Sequence, residues 1–165
     1  MKTLLLALAI SAAAPAAMAQ GAPAPQVSKQ AASAGYGDPI SLAAARALID
    51  RAVSAAREAG HRMAVAVVEP NGELVAFVRM DDTQYGSILV AQRKAATAAR
   101  YRQATAVMEE RTLAGRVVIL ANDDALPIGG GVPILQDGRI VGAIGVSGAT
   151  AAEDAAIAAA ALATH

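Results

Sequence analysis

The sequence predicts an α+β fold, a central antiparallel sheet of about five strands flanked by helices. Two hairpin signals carry that prediction. Pro70-Asn71-Gly72 and Asp137-Gly138 each separate two short apolar runs, and tight turns of this kind join antiparallel strands. The third observation is helical periodicity before and after the first hairpin and again at the C-terminus, so that helices alternate with hairpins.

The 165-residue chain opens on a leader pattern, with one charge at Lys2, an apolar core from Leu4 to Ile10 and the small-x-small site Ala17-Met18-Ala19. Residues 1–19 read as a secretory signal peptide cleaved near Ala19, too short for a retained span, which sends the mature chain to the periplasm or outside the cell without stable membrane insertion. Residues 20–40, rich in Ala, Pro, Gly, Ser and Gln and without a period, read as a flexible arm. Residues 41–165 form one domain.

Within that domain Ser41 is an N-cap, and Leu42, Ala45, Leu48, Ile49, Ala52 and Val53 recur at helical spacing. Arg46, Asp50, Arg51, Arg57 and Glu58 take the opposite face, and Gly60 stops the helix. Met63 to Val68 and Glu73 to Arg79 are the strands of the first hairpin. A polar connector, Met80 to Gly86, leads to a helix over Ser87 to Arg100 with Ile88, Leu89, Ala91, Ala95 and Ala98 toward the core, and a shorter helix covers Ala104 to Glu110. Val117 to Leu120 is a short strand or an ordered loop. The second hairpin spans Val132 to Gln136 and Ile140 to Val146, its glycines marking places where a backbone packs closely or a ligand approaches. Thr150-Ala151-Ala152-Glu153 has the capping-box pattern and opens a helix of nearly pure alanine to about Ala163.

Composition excludes several function classes. Fourteen basic residues balance fourteen acidic ones, and loss of Lys2 with the leader leaves a net charge near zero. That is no footprint for nucleic acid or an anionic membrane. The absence of cysteine excludes disulfides, thiolate metal sites, a cysteine nucleophile and covalent haem attachment. With one Phe, no Trp, three Tyr and alanine at roughly a quarter of the chain, the core inventory is thin. Such a chain completes its burial against other copies, and a homo-oligomer of two or more subunits is expected.

No nucleophile elbow, Walker loop, zinc-protease helix or dinucleotide fingerprint is present. His61 is the one histidine inside the domain, since His165 is terminal, and a lone imidazole cannot build a multi-histidine metal site. It either serves as an axial haem ligand or caps the end of the first helix. Asp81 and Asp82 are adjacent carboxylates fit for a hard cation or for proton transfer, and equally fit for a solvated turn. Asp123-Asp124 carries the same ambiguity. Lys94 sits mid-helix among small residues, its amine aimed into a cleft or snorkelling to the surface. Ser147-Gly148-Ala149-Thr150, at the head of the last helix, offers backbone N–H groups as a cradle for a carboxylate or propionate, with the Gly129-Gly130-Gly131 loop nearby.

Several of these segments, taken in order, resemble one family. Arg79-Met80-Asp81, the Ala91-x-x-Lys94-Ala95-x-Thr97-Ala98 helix, Gly130-Gly131-Val132-Pro133-Ile134 and Gly142-Ala143-Ile144-Gly145-Val146-Ser147-Gly148 are similar to the GlcG/HbpS family, which includes the C-terminal domain of PduO-type proteins. The resemblance runs from about Ser41 to Ala163. It implies a profilin-like or roadblock-like layer fold, assembly into dimers and larger oligomers, and noncovalent binding of haem b or iron, with haem degradation in some relatives and glycolate or corrinoid metabolism around others. Positions that match the shared motifs are Asp81, Lys94, Gly130, Gly131, Ser147, Gly148 and Asp154. None is a usual iron ligand. For that role His61 leads, with Met63, Met80 and Tyr85 behind it. The first reading is therefore an exported haem-binding protein for sequestration or turnover. A second is a binding protein or enzyme for a small organic acid, held by Lys94 and the 147–150 helix start, with Asp81 or Asp82 moving a proton. A third is an oligomeric assembly protein without catalysis.

Overall fold

A computed structural model describes residues 31–163. The leader, its cleavage site at Ala19 and the terminal His165 lie outside the described residues. Helix α1 (Leu42–Glu58) starts where the Ser41 hydroxyl accepts the Ala44 amide at 3.2 Å, and it stops at Gly60, whose φ of 76° suits glycine. Strands β1 (Ala64–Val68) and β2 (Leu74–Arg79) form the first hairpin, whose turn is closed by Gly72 N donating to Glu69 O. Helices α2 (Gly86–Tyr101) and α3 (Thr105–Leu113) follow, then a 3-10 turn at Val117–Ala121. Strands β3 (Gly131–Gln136) and β4 (Arg139–Ser147) form the second hairpin. Helix α4 (Ala151–Leu162) opens with a complete capping box between Thr150 and Glu153.

The sheet order is β2-β1-β4-β3 and every pairing is antiparallel. The described sheet has four strands where about five were expected. The apolar run at 117–120 is the difference: it winds into the 3-10 turn and buries none of its residues. β-branched side chains favour a strand only where a sheet edge receives them, and this run meets none. The segment read as a flexible arm is tied down from residue 31 onward. Gly37 N donates to Ile140 O, Ile140 N to Gly35 O and Ile40 N to Val141 O, so residues 35–40 continue the sheet beside the start of β4, beyond the reach of β1. Tyr36 fixes this strap by donating its hydroxyl to the Arg100 carbonyl at 3.0 Å.

β1 is buried along its whole length, which is why its sequence is continuously apolar and does not alternate. Its two faces differ. Val65 and Val67 join Val132, Ile144 and Val146 beneath α1 and α4, a core of branched side chains. Ala64, Ala66 and Ala143 face Ala91, Ala95, Ala98 and Ala99 of α2, whereas Leu89, expected toward the core, is 62% exposed because the alanine face, not the leucine, turns to the sheet. On that face a methyl on Gly145 would strike the Ala91 carbonyl and the Ala95 backbone, and one on Gly131 would strike the Lys94 carbonyl. These glycines therefore let α2 rest directly on the sheet. Of the two uses open to them, they serve packing.

Candidate functional site

Because neighbouring strands run antiparallel, one end of the sheet gathers the start of β1, the end of β2, the start of β3 and the end of β4. The same end receives the last turn of α1 and the first turns of α2 and α4. Nearly every residue singled out in the sequence converges here. They divide into two groups with opposite character.

The first group is closed. Lys94 is 1% exposed, and its Nζ donates to Asp154 Oδ2 at 2.6 Å and to the Val146 carbonyl at 3.1 Å. The other Asp154 oxygen accepts the Ala149 amide at 3.0 Å. A Cβ on Gly130 would lie 2.9 Å from Lys94 Nζ and 2.9 Å from Asp154 Cβ, so only glycine leaves room for the ion pair. Burial pushes the Asp154 carboxyl above the usual carboxylate range, while the bonds from Lys94 and Ala149 pull it back. Gly131 N donates to Thr105 Oγ1 at 2.8 Å, and the buried Ser147 hydroxyl donates to Ser87 at 3.2 Å. Gly148 packs with no room for a Cβ against Met63 and the Arg62 carbonyl.

This group corrects two sequence expectations. Lys94 neither opens into a cleft nor snorkels to the surface, because the amine is the inner half of an ion pair joining α2 to α4. The anion cradle at 147–150 is filled by the chain itself: Ala149 N goes to Asp154, Thr150 N to Glu153 Oε2 at 3.0 Å, and Glu153 N to Thr150 Oγ1 at 3.3 Å. The glycine loop and the helix start do meet, but around this ion pair, not around a ligand.

The second group is open. His61 follows the end of α1, its amide donating to Ala56 O at 2.8 Å, so the helix-cap reading holds for its backbone. Its ring is 26% exposed, with Nε2 3.7 Å from Glu153 Oε1. The Thr150 hydroxyl and amide hold the Glu153 carboxyl below the usual glutamate range, with a smaller pull from His61. Beside this helix end a groove of about 530 Å³ runs between α1 and the edge strand β2. Val53, Val78 and Met80 line it with apolar surface, and Arg57, Arg62, Arg79, Asp81 and Asp82 supply its charges. Asp81 and Asp82 form the exposed turn after β2, with Asp82 in the left-handed region at φ 62°. Arg79 is committed, its guanidinium 5.2 Å over the Tyr85 ring and its Nη1 3.5 Å from the Thr83 carbonyl. Met63 is fully buried, and Met80 Sδ accepts the Met63 amide at 3.4 Å. Asp124 is drawn into an ion pair with Arg100, and the Asp123 carbonyl accepts from Arg93, so that pair tethers a loop to α2.

Sequence reading missed Arg57 and Arg62, which look like ordinary solvent-facing charges of a helix and its exit. The available signal was their placement either side of the Gly60 stop, which turns both toward one end of the sheet.

Comparison with known proteins gives a consistent picture. The model of a family described as haem degrading protein HbpS-like matches residues 40–163. Protein GlcG of Escherichia coli K12 is 38% identical over 108 residues, covering 66% of this chain and 81% of that protein. A crystal structure of a double mutant of Streptomyces reticuli HbpS aligns with a TM-score of 0.71 at 31% identity, covering 92% of this chain and 97% of that one. The crystal structure of a PduOC:heme complex aligns with a TM-score of 0.69 at 26% identity, covering 75% and 93%.

Proposed function

This chain belongs to the HbpS-like family, and from that premise we propose that it is an exported protein that binds haem b noncovalently, for sequestration or turnover, and works as a homo-oligomer. The observation that carries the reading is the extent of the family match, 40–163, which takes in α1 to α4 and β1 to β4. The likeness to a PduOC:heme complex supports it. Export rests on the leader at 1–19. Assembly is supported by exposed Leu113, Val117, Val118 and Leu120, which put apolar surface on α3 and the 3-10 turn.

The donor set fits haem at one position above the others. The His61 ring is 26% exposed, and with Nε2 facing the Glu153 carboxylate at 3.7 Å the other ring nitrogen, Nδ1, is the one left for iron, as in imidazoles oriented by a carboxylate. Met63 is sealed in the core and the Met80 sulfur is engaged by an amide. Tyr85 lies beneath Arg79. We therefore assign iron ligation to His61. With so few aromatic side chains to enclose a ring, the reading calls for a shallow or intersubunit site at His61. Haem, when bound, supplies the iron and with it the redox chemistry. The protein's part is to hold the ring and limit access to it. The small-acid reading loses its binding groups, since Lys94 and the 147–150 amides are satisfied internally.

The test is a hemin titration of the mature chain from Gln20, followed at the Soret band, with His61→Ala in parallel. A saturable stoichiometric shift in the wild type, lost in the variant, is expected. A shift retained in the variant removes His61 from the ligand role. Absence of any saturable shift in the wild type ends the haem reading.

A further inference from the structure

The two edges of the sheet are finished differently. On β3 the outward positions are closed: the Gly131 amide donates to Thr105 Oγ1 at 2.8 Å, and Pro133, two residues on, has no amide to offer. On β2 they are open. Met80 N donates to Met63 O at 2.9 Å, so the alternation of an antiparallel pair turns the backbone N–H and C=O of Phe77 and Arg79 away from β1. No described residue bonds to these groups. Edge strands that stay alone carry lysine, proline or an inward charge to repel a partner strand. Leu74-Val75-Ala76-Phe77-Val78 carries none of these.

We propose that β2 is where a second copy of this chain docks, β2 against the partner's β2 about a twofold axis near Phe77, joining two four-stranded sheets into one. This rests on the homo-oligomer reading above and names its surface. A free antiparallel edge is complementary to itself, because its donors and acceptors alternate and a twofold axis brings each to its counterpart. The register skips Val75, which shortens the ladder, so side chains must supply the rest of the contact. A groove between α1 and β2 offers them: Leu42, Ile49, Val75 and Phe77 line it, with Arg46 and Asp50. Arg46 and Asp50 lie one turn apart on the exposed face of α1, and neither makes an ion pair with a described residue. A twofold axis passing between them sets Arg46 of each copy against the partner's Asp50. A partner of uniform charge would instead meet repulsion at one of the two, so the surface fits its own copy best.

The experiment measures native mass by sedimentation across a concentration series for wild type, Arg46→Asp and Asp50→Arg, the variants alone and mixed. Each variant alone sets like charges against each other across the axis, and the concentration it needs to assemble should rise about tenfold or more. Mixed in equal amounts, the two should assemble again, because the copy with two acidic groups meets the copy with two basic ones. Amide hydrogen exchange reads the ladder itself. The Phe77 and Arg79 amides should be protected in wild type and lose protection in either variant alone. The Val78 amide, turned toward β1, should stay protected throughout and so report that the fold is intact. An assembled wild type whose mass is unchanged in both variants, with Phe77 and Arg79 exchanging freely, overturns docking at β2 and leaves the oligomer reading standing. A mixture that fails to reassemble overturns it too. A wild type that stays monomeric at every concentration overturns the oligomer reading itself.

Discussion

The closed ion pair and the open groove use the same kinds of side chain at the same end of one sheet, and they do opposite things. Lys94 and Asp154 face one another inside the protein, with Lys94 also bonded to the Val146 carbonyl and Asp154 to the Ala149 amide. Arg57 and Arg62 face water with no internal partner. A charge that is buried must be matched within the fold, because taking it out of water costs several kcal/mol. A charge on a groove wall remains hydrated until a ligand replaces the water. Motif positions shared across a family can thus mark architecture, as Lys94, Gly130 and Asp154 do here.

The largest test breaks the closed pair. Lys94→Ala should cost about 3–5 kcal/mol in denaturant unfolding, since it strands the buried Asp154 carboxylate. Lys94→Met with Asp154→Leu should recover much of this. It should fall short of wild type by about 1–3 kcal/mol, because the amides that Asp154 accepts are left without a partner. A single-variant cost below about 1 kcal/mol would mean that the pair does not join α2 to α4.

The same measurement on Arg57→Ala/Arg62→Ala sharpens the contrast. Both side chains are exposed and unpaired, so the change in unfolding free energy should stay within about 0.5 kcal/mol. A large loss of stability would show that these arginines hold the fold together.

The smallest effect concerns the capping box between the two regions. Glu153 is held below its ordinary value of 4.5, first by the Thr150 hydroxyl and amide. A depressed folded-state pKa means that the folded protein binds this proton less readily than the unfolded chain. The stabilisation is therefore full above the unfolded value and lost as pH falls through the lower folded one. The melting temperature of wild type should exceed that of Glu153→Gln near neutrality, with the gap closing in acid. A gap that persists at low pH would assign the effect to something other than the carboxylate charge.

Much of the architecture was legible in the chain. Pro70-Asn71-Gly72 and Asp137-Gly138 marked the hairpins, Ser41 and Thr150 the helix starts, and the alanine spacing of α2 its buried face. These signals are local, fixed by turn geometry, capping and periodicity. The run at 117–120 was ambiguous because its β-branched composition says nothing about whether a sheet edge is free to receive it. Residues 35–40 lacked any period because their order comes from bonds to β4, a hundred residues away.

The sequence by itself determined the fold class, the exclusion of cysteine chemistry and of multi-histidine metal sites, and the family. Composition, local backbone preference and motif order are properties of the chain alone. Only the tertiary structure decided which charges are spent. Lys94 and Arg57 look equally solvated in a one-dimensional reading, and a carboxylate sixty residues from Lys94 makes one of them structural. Ionic and hydrogen-bond partners are set by distance in space, and that distance exists only once the helices are laid on the sheet.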